Sequence, residues 1–486
     1  MLAAGVYISL LFGTDIWYDE AYTFGVLRHS YSEMWRITAA DVHPPLYYIL
    51  LKLFVTPFSD TFTAAKVFSM IPMLLIIIIG GVQLKGIFDK KVSLCFMVMF
   101  LIFPFMVPYA VEIRMYSLAA LFVFMTAIWA YKSYDRGKAK DSAIMLLSGV
   151  AAAYTHYFAL VAVGIIYFIL LICILKHKKH MLRRWIICVV LSVVLYLPWL
   201  GSFIAQLAYK VENEYWIDPI NMTVVERYIT DTFNVGNGGA YFIYFTELVF
   251  IMLLLTAIFS LDKREKTLSL LAITVWGATI LAGVAVSLAV RPIFVIRYSV
   301  PTIPVFLIFA SIAIARVQPR EIRALCGAVL AVSGILNYTY LFCKEYNVSD
   351  IIMSESFTER YGNCDSYIIC NSDERSVTDH FRGVLAYYET DKPIYSYQPL
   401  SEANPFDNCV SMERFLPHEN QFVIMLKEQS YQFPTDLMER YNYIHVGRIA
   451  TDTENHTIHV YMLMNKDMNG VDAEFIRTAQ KSMERK

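Results

Sequence analysis

Charge is scarce in this 486-residue sequence. Only 17% of its residues are Asp, Glu, Lys or Arg, where ordinary soluble domains carry about 25%. Neither half holds a long basic run, which sets nucleic acid aside as a partner. The eight cysteines form no dense framework, so the chain is not a disulfide-held secreted scaffold. Four of them, Cys95, Cys173, Cys188 and Cys326, lie inside apolar stretches and read as small buried hydrophobes. No internal repeat is visible, and a basic start with a small-residue cleavage site is missing, which argues against a signal peptide.

What is abundant is apolar sequence: 57% of residues are hydrophobic and mean hydropathy is +0.48. Crossing a bilayer takes about 20 apolar residues as a helix. Runs near that length stand at 67–84, 92–108, 117–133, 142–156, 157–175, 185–204, 239–260, 267–290, 298–315 and 324–342. A shorter run, 1–14, reads as a first helix that lacks its start. The expectation is therefore a polytopic α-helical protein of the cell membrane with about eleven transmembrane helices, followed by a C-terminal α/β domain.

Lysine and arginine orient these helices. The connections Lys85–Lys91, Lys132–Lys140, Lys176–Arg184, Lys263–Lys266 and Arg316–Arg323 are basic and alternate with connections that are not. By the positive-inside rule these five are cytoplasmic. The loops 15–66, 109–116, 205–238 and 291–297, and everything from 344 onward, then face outside. Residues 46–58 are apolar but short and follow Pro44-Pro45; crossing there would move every later basic loop to the wrong side. They read as a helix lying in the outer interface.

The two parts differ in charge. Residues 1–343 hold 27 basic against 19 acidic side chains, and residues 344–486 hold 14 against 23. We divide the chain there, into a membrane domain 1–343 and an extracytoplasmic domain 344–486. In the latter, Ser366–Cys370, Pro393–Tyr397, Gln421–Leu426, Tyr443–Ile449 and Thr457–Met464 pattern as strands, and Ser376–Tyr388 and Thr435–Tyr441 as helices. No glycine-rich phosphate loop accompanies them. Cys364, Cys370 and Cys409 lie in this outward part, so one disulfide among them is expected.

Polar side chains in so apolar a sequence are costly and therefore informative. The candidates sit at the outer ends of helices: Asp19-Glu20, Asp41 and His43 before Pro44-Pro45, Glu112-Ile113-Arg114-Met115-Tyr116, His156-Tyr157 and Arg297-Tyr298. Five sites far apart in sequence thus share one membrane face, where they can line a cleft. A carboxylate there can take a proton from a hydroxyl or amine, and cations can hold a phosphate leaving group. Aromatic rings can line the path of a lipid chain or stack on a sugar. Transfer from a lipid-phosphate donor to an outer-face acceptor uses all three. Each piece also has a plainer explanation. Asp19-Glu20 can be solvated surface, His43-Pro44-Pro45 a helix start, Glu112 and Arg114 a polar loop, His156 an interfacial histidine, and Arg297 a snorkelling cation.

Taken in order, these strings resemble one family. Asp19-Glu20 followed by Asp41-Val42-His43-Pro44-Pro45-Leu46-Tyr47-Tyr48 looks like the first outer loop of the GT-C membrane glycosyltransferases. The branch is the protein O-mannosyltransferases (glycosyltransferase family 39) and the aminoarabinose-transferase-like bacterial relatives. Glu112-Ile113-Arg114-Met115-Tyr116-Ser117 resembles that group's second outer motif. Thr155-His156-Tyr157-Phe158 and Arg297-Tyr298-Ser299-Val300-Pro301 resemble its later ones. The resemblance spans about residues 1–343 and implies inverting transfer of a hexose or pentose from a polyprenyl-phosphate donor to a glycan, lipid or protein acceptor of the cell envelope. It implies Asp19 as general base with Glu20 beside it in the acceptor pocket. It implies Arg114, Arg297, Lys66 and His43 as donor-phosphate contacts, with Asp41, Glu112, Tyr116 and His156 completing the site. Two positions depart from the aminoarabinose transferases, Tyr22 where they have arginine and His43 where they have lysine, which argues against lipid A as acceptor. Metal dependence stays open: Asp19, Glu20, His43 and His156 make a donor set on paper, without metal-motif spacing.

A transporter or flippase of a lipid-linked or anionic substrate is the alternative. Transporters place ionisable groups near mid-membrane in broken helices and repeated halves, whereas here the charges are peripheral. Eleven helices also exceed what an anchor for a binding module needs.

Overall fold

A computed structural model describes residues 2–11, 16–212, 217, 219–233, 261–318, 320–346, 361–370, 377–429, 431–449 and 458–466, with single positions at 248–259 and 357. In chain order the helices are α1 (Leu2–Ser9), α2 (Tyr18–Arg28), α3 (Tyr31–Ala40), α4 (Leu46–Val55), α5 (Thr61–Ile87), α6 (Lys90–Ile102), α7 (Tyr116–Arg136), α8 (Ala139–Ala153), α9 (Tyr157–His177), α10 (Leu182–Glu212), α11 (Met222–Phe233), α12 (Lys263–Ala289), α13 (Ile303–Arg316) and α14 (Arg320–Tyr346). They are followed by β1 (Ser366–Cys370), α15 (Val377–Tyr388), β2 (Ile394–Ser396), β3 (Cys409–Ser411), β4 (Phe422–Glu428), α16 (Thr435–Arg440), β5 (Tyr441–Ile449) and β6 (Ile458–Asn465). The chain packs as two units, Met1–Gly13 with Thr38–Asn347, and Thr14–Ile37 with Val348–Lys486.

In the first unit, six helical stretches among the described residues are long and apolar enough to cross a membrane. The expected span 239–260 lies almost wholly outside the described residues; helices stand at the other expected positions. The sequence explains which is innermost. α13, Ile-Pro-Val-Phe-Leu-Ile-Phe-Ala-Ser-Ile-Ala-Ile-Ala, is apolar on every face, and every one of those side chains is buried. A helix apolar all round belongs inside a bundle. α10 is equally hydrophobic yet mostly uncovered by protein, as a lipid-facing helix is. α5 and α6 approach so closely that the Phe96 ring lies where a Cβ on Gly80 would stand, so only glycine fits. α4 has 10 residues, about 15 Å, half of what a bilayer core requires. It does not cross by itself.

The second unit is an α/β fold. Its six-stranded sheet has the order β3-β2-β1-β4-β6-β5. β3, β2, β1 and β4 run parallel, and β6 and β5 complete it antiparallel. All five residues of β1 are buried, because a parallel strand in mid-sheet is covered on both faces. All seven elements expected from sequence in this region agree within two residues at each end with β1, α15, β2, β4, α16, β5 and β6; the three-residue β3 went unforeseen. The expected disulfide does not form. None of the eight cysteines is in a disulfide, and Cys364, Cys370 and Cys409 are buried thiols.

Part of the segment before α4, Thr14–Ile37, belongs to this unit. Helix α2 lies on α15: Arg28 donates to the carbonyls of Ala386 (3.3 Å) and Tyr387 (3.1 Å). These are last-turn carbonyls of α15, which lack helical partners and carry the negative end of its dipole. The Phe24 and Tyr387 rings pack at 5.1 Å, His29 Nε2 lies 2.8 Å from the Pro405 carbonyl, and Gly25 sits against Pro405 and Phe406.

Candidate functional site

Four segments meet at one end of the membrane unit, each just before or at the start of a helix. His43 precedes α4, Arg114 precedes α7, His156 caps α9, and Arg297 lies in the 3-10 turn Ile296–Thr302 leading into α13. A backbone bond from Leu46 N–H to the Tyr154 carbonyl (3.1 Å) ties the Pro44-Pro45 turn to the α8–α9 turn. The His43 and His156 rings then stand 6.1 Å apart. Arg114, only 3% exposed, donates through Nη1 to the Tyr48 hydroxyl at 3.3 Å. Tyr116 lies 5.6 Å from His156 and Tyr298 5.2 Å, centroid to centroid, and the Arg297 guanidinium is 6.0 Å from the Tyr298 ring.

The two histidines are held differently. His156 Nδ1 accepts the Phe158 N–H at 3.2 Å, which leaves the proton on Nε2 and that N–H available to a ligand. Burial, helped by the neighbouring His43, Arg114 and Arg297, pushes its pKa well below the usual histidine range, so the ring is neutral. His43 Nδ1 lies 3.2 Å from Asp41 Oδ2; the carboxylate accepts and orients the ring.

A cavity of about 280 Å³ adjoins these rings, lined by His43, His156, Phe158, Gln206, Gly283 and Tyr298 among others. It is predominantly apolar. A side chain at Gly283 would collide with Phe158 and Phe294, so glycine lets α12 close on the aromatic wall. Gln206 Nε2 donates to the carbonyls of Thr38 (2.9 Å) and Ala39 (3.0 Å), fixing the end of α3, and Tyr157 bonds to its amide oxygen. Gln206, Tyr48 and Phe158 were not singled out as site residues from sequence. Gln206 had a signal, an amide far along an apolar helix; the other two look like ordinary aromatic content.

The remaining candidates fall as follows. Lys66, 2% exposed, stands in the second turn of α5 with its Nζ 4.9 Å from the Phe62 ring. Its helix joins α4 through Tyr47 and Phe68, 5.8 Å between rings. Glu112 accepts the Arg114 N–H through its carbonyl at 2.8 Å, so the two form a tight turn.

Asp19 and Glu20 are in the second unit, in the first turn of α2, where the helix dipole favours carboxylates. Glu20 is buried and accepts the Trp17 N–H at 3.4 Å, so it folds back on its own helix start. Asp19 is half-buried, and its backbone carbonyl takes the Thr23 hydroxyl at 2.9 Å. Among the described residues no group of three or more His, Cys, Asp or Glu side chains could hold a metal ion.

No protein-family model matches the sequence, and none of the curated proteins matches it. Solved structures do match in fold. The apo structure of ArnT from Cupriavidus metallidurans aligns with a TM-score of 0.64 at 13% identity, covering 94% of this chain and 96% of that one. The same protein bound to undecaprenyl phosphate aligns with a TM-score of 0.64 at 13% identity, over 97% and 98%. The two-part architecture is thus shared along nearly the whole length of both chains, and this chain has the fold of the GT-C membrane glycosyltransferases that its motifs resemble.

Proposed function

We propose that the protein transfers a sugar from a polyprenyl-phosphate donor to an acceptor at the outer face of the membrane, with inversion. The observation that carries this is the meeting of His43, Arg114, His156 and Arg297 beside an apolar cavity at one end of the membrane unit. A lipid-linked sugar phosphate needs both halves of that arrangement, cations for its phosphate and an apolar wall for its chain. The similarity to a structure with bound undecaprenyl phosphate supports the same class of donor.

In this mechanism Arg114 and Arg297 hold the donor phosphate by charge-assisted bonds, and the neutral His156 donates through Nε2. Asp19 takes the proton from the acceptor hydroxyl or amine. The acceptor atom attacks the anomeric carbon from the face opposite the phosphate, the carbon–oxygen bond to phosphate breaks, and polyprenyl phosphate leaves with its charge on the cations. A single displacement of this kind inverts the anomeric centre. Glu20, turned onto Trp17 N–H, holds the helix start that presents Asp19. No step is assigned to a metal.

Mass spectrometry of cell-surface glycans and glycoproteins tests the reading. Deleting the gene removes one hexose or pentose from a defined acceptor, the wild-type gene restores it, and Asp19→Asn does not. Restoration by Asp19→Asn sinks Asp19 as base, and an unchanged glycan profile on deletion sinks the activity. The orientation has its own test, labelling of single cysteines at the exposed positions Ser30, Ser401 and His177 in a cysteine-free background. The first two react in intact cells and the third only after permeabilisation; the reverse pattern overturns the outer placement of the site.

A further inference from the structure

The four helices that bear or flank the site also run to a second cavity at their other ends. α5 goes from Lys66 to Ile87, α7 from Tyr116 to Arg136, α9 from His156 to His177, and α12 from Gly283 back to Lys263. α9 alone has 21 residues, which sets the two ends about 30 Å apart. The second cavity is larger, about 590 Å³. Its walls are aliphatic, for example Leu84, Ile128, Leu170, Val275 and Ile308, while Tyr131, Tyr134, Asp135, His177, Lys263 and Arg264 stand at its mouth.

We propose that this cavity holds an acyl chain of an anionic phospholipid, with the lipid phosphate against Lys263 and Arg264. The walls come from membrane-length helices α5, α9 and α12 together with α7 and α13, so the surrounding solvent at that depth is lipid. Water has little to bond to there, since an apolar cavity stays dry and takes apolar guests. The mouth supplies the charge. Lys263 is exposed and meets no carboxylate among the described residues. Arg264 donates through Nη2 to the Ile87 carbonyl (3.0 Å) and the Tyr131 hydroxyl (2.6 Å), which fixes its guanidinium at the rim. Lys178 adds a third cation beside it, bonded to the Tyr134 carbonyl at 2.6 Å. Asp135 lines this mouth and Asp262 lies near Arg264, so among the described residues three cations, Lys263, Arg264 and Lys178, face two carboxylates. Basic pockets between membrane helices are suited to anionic headgroups, each cation near the surface contributing a factor of roughly five in affinity. The distance from His156 separates this lipid from the proposed donor.

Native mass spectrometry of the full-length protein tests it, with equimolar dioleoylphosphatidylglycerol and dioleoylphosphatidylcholine added in detergent. The wild type retains the anionic lipid in preference, by more than tenfold. Lys263→Ala, an exposed change that leaves packing alone, cuts that preference roughly fivefold. Ala272→Phe, which fills the cavity, removes retention of both lipids. Binding of undecaprenyl phosphate is unchanged in Lys263→Ala. Equal retention of the two lipids by the wild type overturns the proposal, as does a preference that survives both variants. A parallel loss of undecaprenyl phosphate in Lys263→Ala also overturns it, because the cavity would then belong to the donor.

Discussion

The two ends of the membrane unit treat positive charge in opposite ways. At the basic end, Arg316 is shared between Asp89 (2.7 Å) and Glu265 (2.6 Å), and Lys132 donates to Gln83 at 2.8 Å. Carboxylates and an amide answer these two cations, which is what stability asks for. At the other end, Arg114 and Lys66 are buried, and aromatic rings and histidines gather around Arg114, His156 and Arg297. Burying cations among rings is expensive. We propose that these cations receive the donor phosphate, since ionisable groups held within a membrane protein tend to mark functional sites. The difference teaches that the neighbours of a cation, carboxylate and amide at one end and aromatic ring at the other, distinguish the two ends of the same helices.

The largest effect that would sharpen this contrast is at Asp19. Asp19→Asn keeps the shape and removes the base, so turnover falls by about 10²–10⁴-fold. In a transfer assay with purified protein the rate drops while donor binding persists; a rate within a few-fold of wild type would move the base to another carboxylate. A smaller effect is expected at Arg28, which seats α2 on the end of α15. Arg28→Ala removes two bonds to carbonyls, worth about 1 kcal/mol, and lowers kcat about fivefold with donor affinity unchanged. Its outcome is read from steady-state kinetics, where a change in donor affinity alone would show that the seat has no bearing on α2.

The smallest effect is in pH. Folded His156 has a lowered pKa, whereas an unfolded histidine titrates near 6.5. Below about pH 6.5 the unfolded chain therefore binds a proton that folded His156 refuses. Stability from this group is full above that pH and is lost as pH falls, by at most about 1.4 kcal/mol per pH unit. Thermal unfolding of wild type and His156→Gln between pH 7.5 and 5 measures it. The wild-type curve descends more steeply, and parallel curves would mean that His156 takes its proton freely.

Much of this was legible in sequence because the signals are local. Long apolar runs, basic loops and alternating strands read directly from residue order, as did the short helix after Pro44-Pro45. That His43, Arg114, His156 and Arg297 gather at one end of the membrane unit followed from the spans. What was not legible is long-range. The seating of α2 on α15 joins residues more than 350 positions apart through carbonyls that any sequence would supply. The roles of Gln206 and Gly283 depend on which helix passes by, and the expected disulfide failed because cysteine type does not reveal distance. β3 escaped notice because three residues are too few to show a period.

The central claim is that the buried cations exist to hold a lipid phosphate, and binding of undecaprenyl phosphate to purified protein in detergent tests it most directly. The account predicts that Arg114→Ala and Arg297→Ala each weaken binding by about 1.5–3 kcal/mol. Arg297→Lys recovers only part, since the planar fork is lost, and Asp19→Asn binds as wild type does. Undiminished binding in both alanine variants would contradict it.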